Sequence, residues 1–522
     1  MELELYDATL REGEQAAGVS FSLKDRVEIV KALDNLGIEF IEAGWPIHQD
    51  VLDAFLEINR LVENGEIRAK IVAFGATSIV DNPEQDINLK SIVDSKVKYA
   101  CIFGKTWIEH IEKQLKLTKE QNLDKIKKSI EFLRDKGIEV LYDAEHYFDG
   151  FKANSDYSME TIEQAMKAGA TRIILCDTNG GSLPEEVEEI LEKTKEFLGN
   201  RFKGKLGVHI HNDSALALSN SLLALKYVDH VQGTINGLGE RVGNLDLCEF
   251  IPLLMLKKGL ILPYKLDKLR HVSDLVYKAA NIPKKINQAF ISQRAYSHKG
   301  GVHIDAMTKG ASYSNVTPED FGLEHSLILT SLGGAACIVA AADKFGFTID
   351  KRDENTKEKI NQALDEIKKL EKQGYDIGDI EAEQYMILSR YFGEFKQLFE
   401  VKEWEINTGE KNSSCTLTIS IDGQERQICE KLEGGPVGVL YKALVSLIKE
   451  KYPEIEKLKI RDYKVRVAKS EGEESSVRTR IAFTDSEDFS TVGVSTNIIG
   501  SGLEALEKAF NYYLNKFKSN KD

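Results

Sequence analysis

The chain has 522 residues, 42% of them hydrophobic, and a formal net charge of −15. That length exceeds one ordinary domain, so two or three are expected, each with enough apolar material for a core. The negative balance excludes charge-driven binding to nucleic acid or to an anionic membrane, both of which need basic surface.

The opening stretch ELELYDATL has neither the basic lead nor the apolar centre of a secretory signal. No apolar run reaches the length of a membrane span. Six cysteines (Cys101, Cys176, Cys248, Cys337, Cys415 and Cys429) are scattered without a CxxC pair. They read as reduced thiols, several of them buried, and place the protein in the cytoplasm.

From the N-terminus, eight β-type runs follow in order: ELYDATL, FIEAGWP, KIVAFGA, YACIFGK, EVLYDAE, RIILCDT, LGVHIHN and HVQGTIN. Between them lie amphipathic runs such as KDRVEIVKALDNLG and LDKIKKSIEFLRDKG, whose apolar residues recur at three and four and predict helices. Pro184, just after Ser182, suits the first turn of a capped helix. Eight alternations within residues 1–265 predict an α/β fold, a (β/α)8 TIM barrel. A doubly wound sheet competes less well, because it would carry a Gly-rich first turn that is absent here. Residues 266–395 read as a mostly helical accessory region. Its charged run DKRDENTKEKINQALDEIKKLEKQG predicts a solvated helix surface. Residues 396–522 read as a small α+β domain in which two strand-rich blocks each end in a helix, a weak internal repeat.

Chemistry in such a barrel gathers at the C-terminal strand ends. The unusual polar residues fall there: Asp7, Arg11 and Glu12; Asp143 and Glu145; Asp177 and Thr178; His209, His211, Asn212 and Asp213; Asn236, Glu240, Arg241 and Asn244. Any one could be a cap, but five strand ends together argue for a site. His209 and His211 stand two apart on a strand and so share a face. Alone, the pair is equally well one buried histidine and an incidental neighbour. With a carboxylate after the first strand and an amide after the eighth, a divalent ion such as Mn²⁺, Mg²⁺, Co²⁺ or Zn²⁺ is the better reading. A closed structural zinc site is excluded by the absence of nearby cysteine. The run GTINGLGERVGN either cradles an anion on its backbone N–H groups or is a tight turn. His146 follows Glu145 and is expected by alternation to face away from it.

DATLREGEQ, VHIHND and NGLGERVGN, in this order, resemble the signatures of the metal-dependent acyltransferases related to 2-isopropylmalate, homocitrate and citramalate synthases. The resemblance spans nearly the whole chain. EAGWP, FGKTW and YDAEHYFDGFKAN are most similar to the long-form (R)-citramalate synthases. It implies condensation of acetyl-CoA with pyruvate, the first step of a pyruvate route to isoleucine. The alternative is the same reaction on another 2-keto acid, 2-oxoisovalerate or 2-oxoglutarate. It implies metal ligands Glu12, His209, His211 and Asn244, with Glu12 standing where homocitrate synthases commonly have glutamate and the other two enzymes aspartate. It further implies Arg11 beside the reacting ketone, Thr178 on the substrate carboxylate, and acid/base work shared by Glu145, His303 and Tyr313. A homodimer, and a C-terminal regulatory domain that takes isoleucine, complete what the resemblance implies.

Overall fold

In the computed structural model the described residues are 3–298, 306, 314–349, 353–378, 380–469, 475–485 and 488–519. They fall into two compact units, Met1–Ala295 with Val316–Glu324, and Tyr296–Asn315 with His325–Asp522.

The first unit is a closed barrel of eight strands in sequence order, β1 (Glu4–Asp7), β2 (Phe40–Gly44), β3 (Lys70–Ala76), β4 (Tyr99–Lys105), β5 (Glu139–Glu145), β6 (Arg172–Asp177), β7 (Lys205–Ile210) and β8 (His230–Gly233). Neighbouring strands are parallel, and β8 closes onto β1 through Glu4↔His230 and Asp7↔Gly233. The expected (β/α)8 architecture is therefore the one that forms. The strands are buried almost throughout, which explains why they read as continuous apolar runs. Side chains that include Tyr6, Phe40, Val72, Cys101, Leu141 and Ile174 form a core cluster within the barrel. At the N-terminal ends of the strands Arg172 donates to Glu4 at 2.7 and 2.9 Å, and His230 Nδ1 lies 3.3 Å from the same carboxylate. Burial alone would raise the Glu4 carboxyl, but Arg172 and His230 hold it below the ordinary carboxylate range.

The helices between strands obey local rules. Leu23–Leu36 starts on Ser22, which accepts from the Asp25 amide in a capping box, and ends at Gly37 in the left-handed region. Pro184 is the first residue of Pro184–Leu198, but Ser182 is not its cap. Leu183 is, its amide donating to Glu186 at 2.7 Å.

In the second unit, helix Glu354–Gln373 buries Ile360, Ala363 and Ile367 and leaves most of its charged residues to water. The C-terminal part is two antiparallel three-stranded sheets, each followed by a helix: Phe399–Thr408, Asn412–Ile421 and Gln424–Glu433 before Pro436–Ile448, then Lys459–Lys469, Ser476–Thr484 and Asp488–Ser495 before Ile498–Ser519. The internal repeat is thus a duplicated three-strand-and-helix unit. Both halves contribute to one core, with Leu417, Leu440 and Leu444 beside Ile481, Phe483 and Phe510. Five cysteines are buried, Cys429 is exposed, and all are free. No helix among the described residues is long and apolar enough to cross a membrane.

Candidate metal centre at the barrel mouth

The turn after β1 brings Arg11 and Glu12 back over the barrel, with both amides bonded to Ala8 O. Asp7 is structural. Its carboxylate accepts from Thr9, whose hydroxyl accepts from the Ile235 amide at 2.8 Å, so it ties the ends of β1 and β8 together. Burial pushes the Asp7 carboxyl up to about 7.

Arg11 is buried, and each of its three nitrogens has a partner. Its Nε and Nη2 grip Glu42 of β2 in a two-point contact, its Nη1 pairs with Glu12, and its guanidinium lies 3.7 Å from the centre of the Phe74 ring. Tyr6 donates to the same Glu42 at 2.5 Å. Burial opposes the guanidinium charge, yet Glu42, then Tyr6 and Asp143, raise its pKa, so it stays charged.

His209 Nε2 stands 3.3 Å from His211 Nε2 and 3.7 Å from Glu12 Oε1. These three residues form the one group of potential metal ligands found among the described residues, with one donor atom from each within 4.8 Å of the others. His211 lies just past β7 and forms an isolated bridge with Asn244, so the two imidazoles share a face as expected even though only one is on the strand. Glu12 Oε2 and Asn244 Oδ1 are buried with no hydrogen-bond partner. Such atoms are costly unless something else satisfies them. His209 Nδ1 lies 2.8 Å from Gln232 Oε1, and Gln232 Nε2 donates to Asp143 at 3.1 Å. An amide oxygen facing Nδ1 puts the proton there and leaves the Nε2 lone pair for an ion. Burial, then the Arg11 charge, lowers the pKa of His209 to about 3. Burial, then His209, Arg241 and Arg11, lowers that of His211 to about 2. Two neutral imidazoles, an orphaned carboxylate oxygen and an orphaned amide oxygen are a donor set that fits a divalent ion.

GTINGLGERVGN opens with a 3-10 turn, Ile235–Gly237, and folds back to Asn244. Asn236, Gly237, Arg241 and Gly243 have φ of 63°, 63°, 54° and 93°. The amides of Gly237, Gly243 and Asn244 are used inside the turn, so they do not cradle an anion. A Cβ on Gly239 would stand 2.5 Å from Asn244 Nδ2, so glycine there lets the amide side chain pack.

Glu145 ends β5 at the mouth. Thr178 follows β6 and accepts from the His146 amide at 2.9 Å. His146, at φ 56°, lies past the point where strand alternation ends, and its ring packs 4.3 Å from that of His110, which stacks on Trp107 at 4.8 Å. His303 and Tyr313 lie outside the described residues.

Sequence reasoning passed over Glu42 and Gln232. Each is a polar residue inside an otherwise apolar barrel strand, FIEAG and HVQG, and that was the available signal.

Residues 2–276 match the HMGL-like family, 290–375 the homocitrate synthase post-HMGL domain-like family, and 379–514 the LeuA allosteric (dimerisation) domain. The chain is 38% identical to an (R)-citramalate synthase of Aquifex aeolicus and 37% identical to one of Geobacter sulfurreducens, each match covering 98% of both chains. A 2-isopropylmalate synthase of Acetivibrio thermocellus is 28% identical over 98% of this chain and 97% of its own. The chain belongs to the HMGL-like family and, within it, to the (R)-citramalate synthases.

Proposed function

We propose that this protein condenses acetyl-CoA with pyruvate and water to give (R)-citramalate and CoA, at a site where Glu12, His209, His211 and Asn244 hold a divalent ion. The observation that carries the reading is the convergence of two neutral imidazoles and a carboxylate on one point beside a buried, charged arginine. When bound, the ion supplies Lewis-acid polarisation of the keto group. Arg11 stabilises the negative charge that develops on the keto oxygen. Thr178 donates its hydroxyl hydrogen to the substrate carboxylate. Glu145, with His303 and Tyr313, moves protons: a methyl hydrogen leaves acetyl-CoA, its carbon bonds to C2 of pyruvate, and the keto oxygen ends protonated. Water then cleaves the thioester and CoA departs.

Pyruvate is favoured on two grounds. Identity is 36–38% to several (R)-citramalate synthases against 27–28% to 2-isopropylmalate synthases over the same span. Trp45, Phe74 and Phe103 also form an aromatic cluster beside Arg11, with ring centres 5.6 to 6.1 Å apart. That apolar wall suits a methyl group better than the second carboxylate of 2-oxoglutarate.

We further read residues 1–265 as the catalytic barrel, 266–395 as a linker, and 396–522 as a regulatory domain that dimerises and takes isoleucine as end-product of the route. The duplicated three-strand-and-helix unit and the LeuA-type match support this. The cytoplasm is the compartment in which six free thiols persist.

Two tests follow. CoA release with pyruvate, 2-oxoisovalerate and 2-oxoglutarate should give a kcat/KM at least about 100-fold higher for pyruvate. Preference for either competitor overturns the substrate assignment. Gln232→Leu removes the acceptor that fixes the His209 tautomer, and should weaken Mn²⁺ binding by about 10–100-fold in calorimetry. Unchanged affinity would remove Gln232 from the account.

A further inference from the structure

Strands β4 and β5 end level with each other, and Lys105 and Glu145 are register partners. The Lys105 side chain is only 10% exposed, and its ammonium stands 2.5 Å from Glu145 Oε2. Apart from this ammonium, Oε2 is buried without a partner. Both backbones are fixed at this point. Thr106 donates to Glu145 O through its hydroxyl at 2.7 Å, and Asn122 donates to Lys105 O at 2.9 Å. Two neighbouring strand ends therefore hold one charge pair in a set place on the rim of the barrel.

Stability does not account for this pair. For two partly buried charges the water given up offsets most of the attraction, so the pair adds little to the fold. What the pair does provide is a fixed carboxylate. A glutamate at a barrel mouth has three side-chain torsions to sample, and a general base for a carbon acid must sit within about 3 Å of the hydrogen it removes. Pairing through Oε2 restrains the Glu145 carboxylate at one point.

We propose that Lys105 is a positioning residue that holds the Glu145 carboxylate at the mouth in the orientation needed for proton transfer. The inference rests on the acid/base reading of Glu145. Lys105→Met should lower kcat by about 100-fold while KM for pyruvate stays within about threefold, because the loss falls on the chemical step. Lys105→Arg should return kcat to within about tenfold of the wild type, since the charge is kept. In a Glu145→Gln background the same Lys105→Met change should cost less than about threefold, because the two residues act as one unit. Lys105→Gln serves if the methionine variant does not fold, and Mn²⁺ binding by calorimetry reports the state of the site in each protein. A kcat within about threefold of the wild type in Lys105→Met or Lys105→Gln overturns the proposal, as does an equal loss in the Glu145→Gln background. A Glu145→Gln enzyme with wild-type kcat instead overturns the acid/base reading, and any loss in Lys105→Met would then arise elsewhere.

Discussion

Arg11→Ala is expected to lower kcat with pyruvate by about a thousandfold or more, the scale on which removing a preorganised donor at a developing oxyanion is felt. Arg11 is buried, held on Glu42 by two nitrogens, and kept charged by it, so its place is set before substrate arrives. The same change also threatens the fold. Glu42 is fully buried and would retain Tyr6 but no cation. Breaking a buried pair from one side costs about 3–5 kcal/mol. Two effects should thus appear together: lost turnover, and a lower urea midpoint at unchanged slope. Arg11→Lys should separate them. An ammonium keeps a charge beside Glu42 but cannot make the two-point grip while reaching Glu12. Most of the stability should return and little of the turnover. An Arg11→Ala protein within tenfold of wild-type kcat would remove Arg11 from the chemistry.

His211→Ala should abolish measurable Mn²⁺ binding and lower turnover by at least about a thousandfold, since it removes one of two imidazoles from a site with few ligands. The ionisation of the pair adds a sharper expectation. Free imidazole titrates near 6.5, whereas burial lowers His209 to about 3 and His211 to about 2. At pH 6 both rings are already neutral. Two ordinary histidines would together be more than half protonated there and would give up roughly 1.5 protons on binding an ion. Calorimetry at pH 6 in buffers of different ionisation heat should therefore show almost no imidazole proton release in the wild type. Release of more than one proton would contradict neutral, preorganised ligands.

The barrel was legible because each strand is a short apolar run bounded by a helix with its own caps, and both signals are local. The duplicated C-terminal unit was legible for the same reason. His209 and His211 were legible as a pair because strand periodicity alone sets their common face. What local periodicity cannot encode is which residues of different strands meet. Arg11 and Glu42 are 31 residues apart, His209 and Gln232 are 23 apart, and Gln232 and Asp143 are 89 apart. These contacts exist only once separate strands have paired in register. His146 stands one residue past the end of β5, in a left-handed turn that sets its ring against those of His110 and Trp107, so strand alternation does not govern it. Ser182 was passed over as a cap because Glu186 reaches back to the Leu183 amide instead.

The central claim is that this barrel mouth joins acetyl-CoA to pyruvate with a bound divalent ion. It is tested most directly by following acetyl-CoA and ¹³C-labelled pyruvate by NMR with protein first stripped by chelator and then reloaded with Mg²⁺. The account predicts (R)-citramalate and free CoA in equal amounts, formed only after reloading. CoA release without citramalate, or citramalate formed at the same rate by the stripped protein, would contradict it.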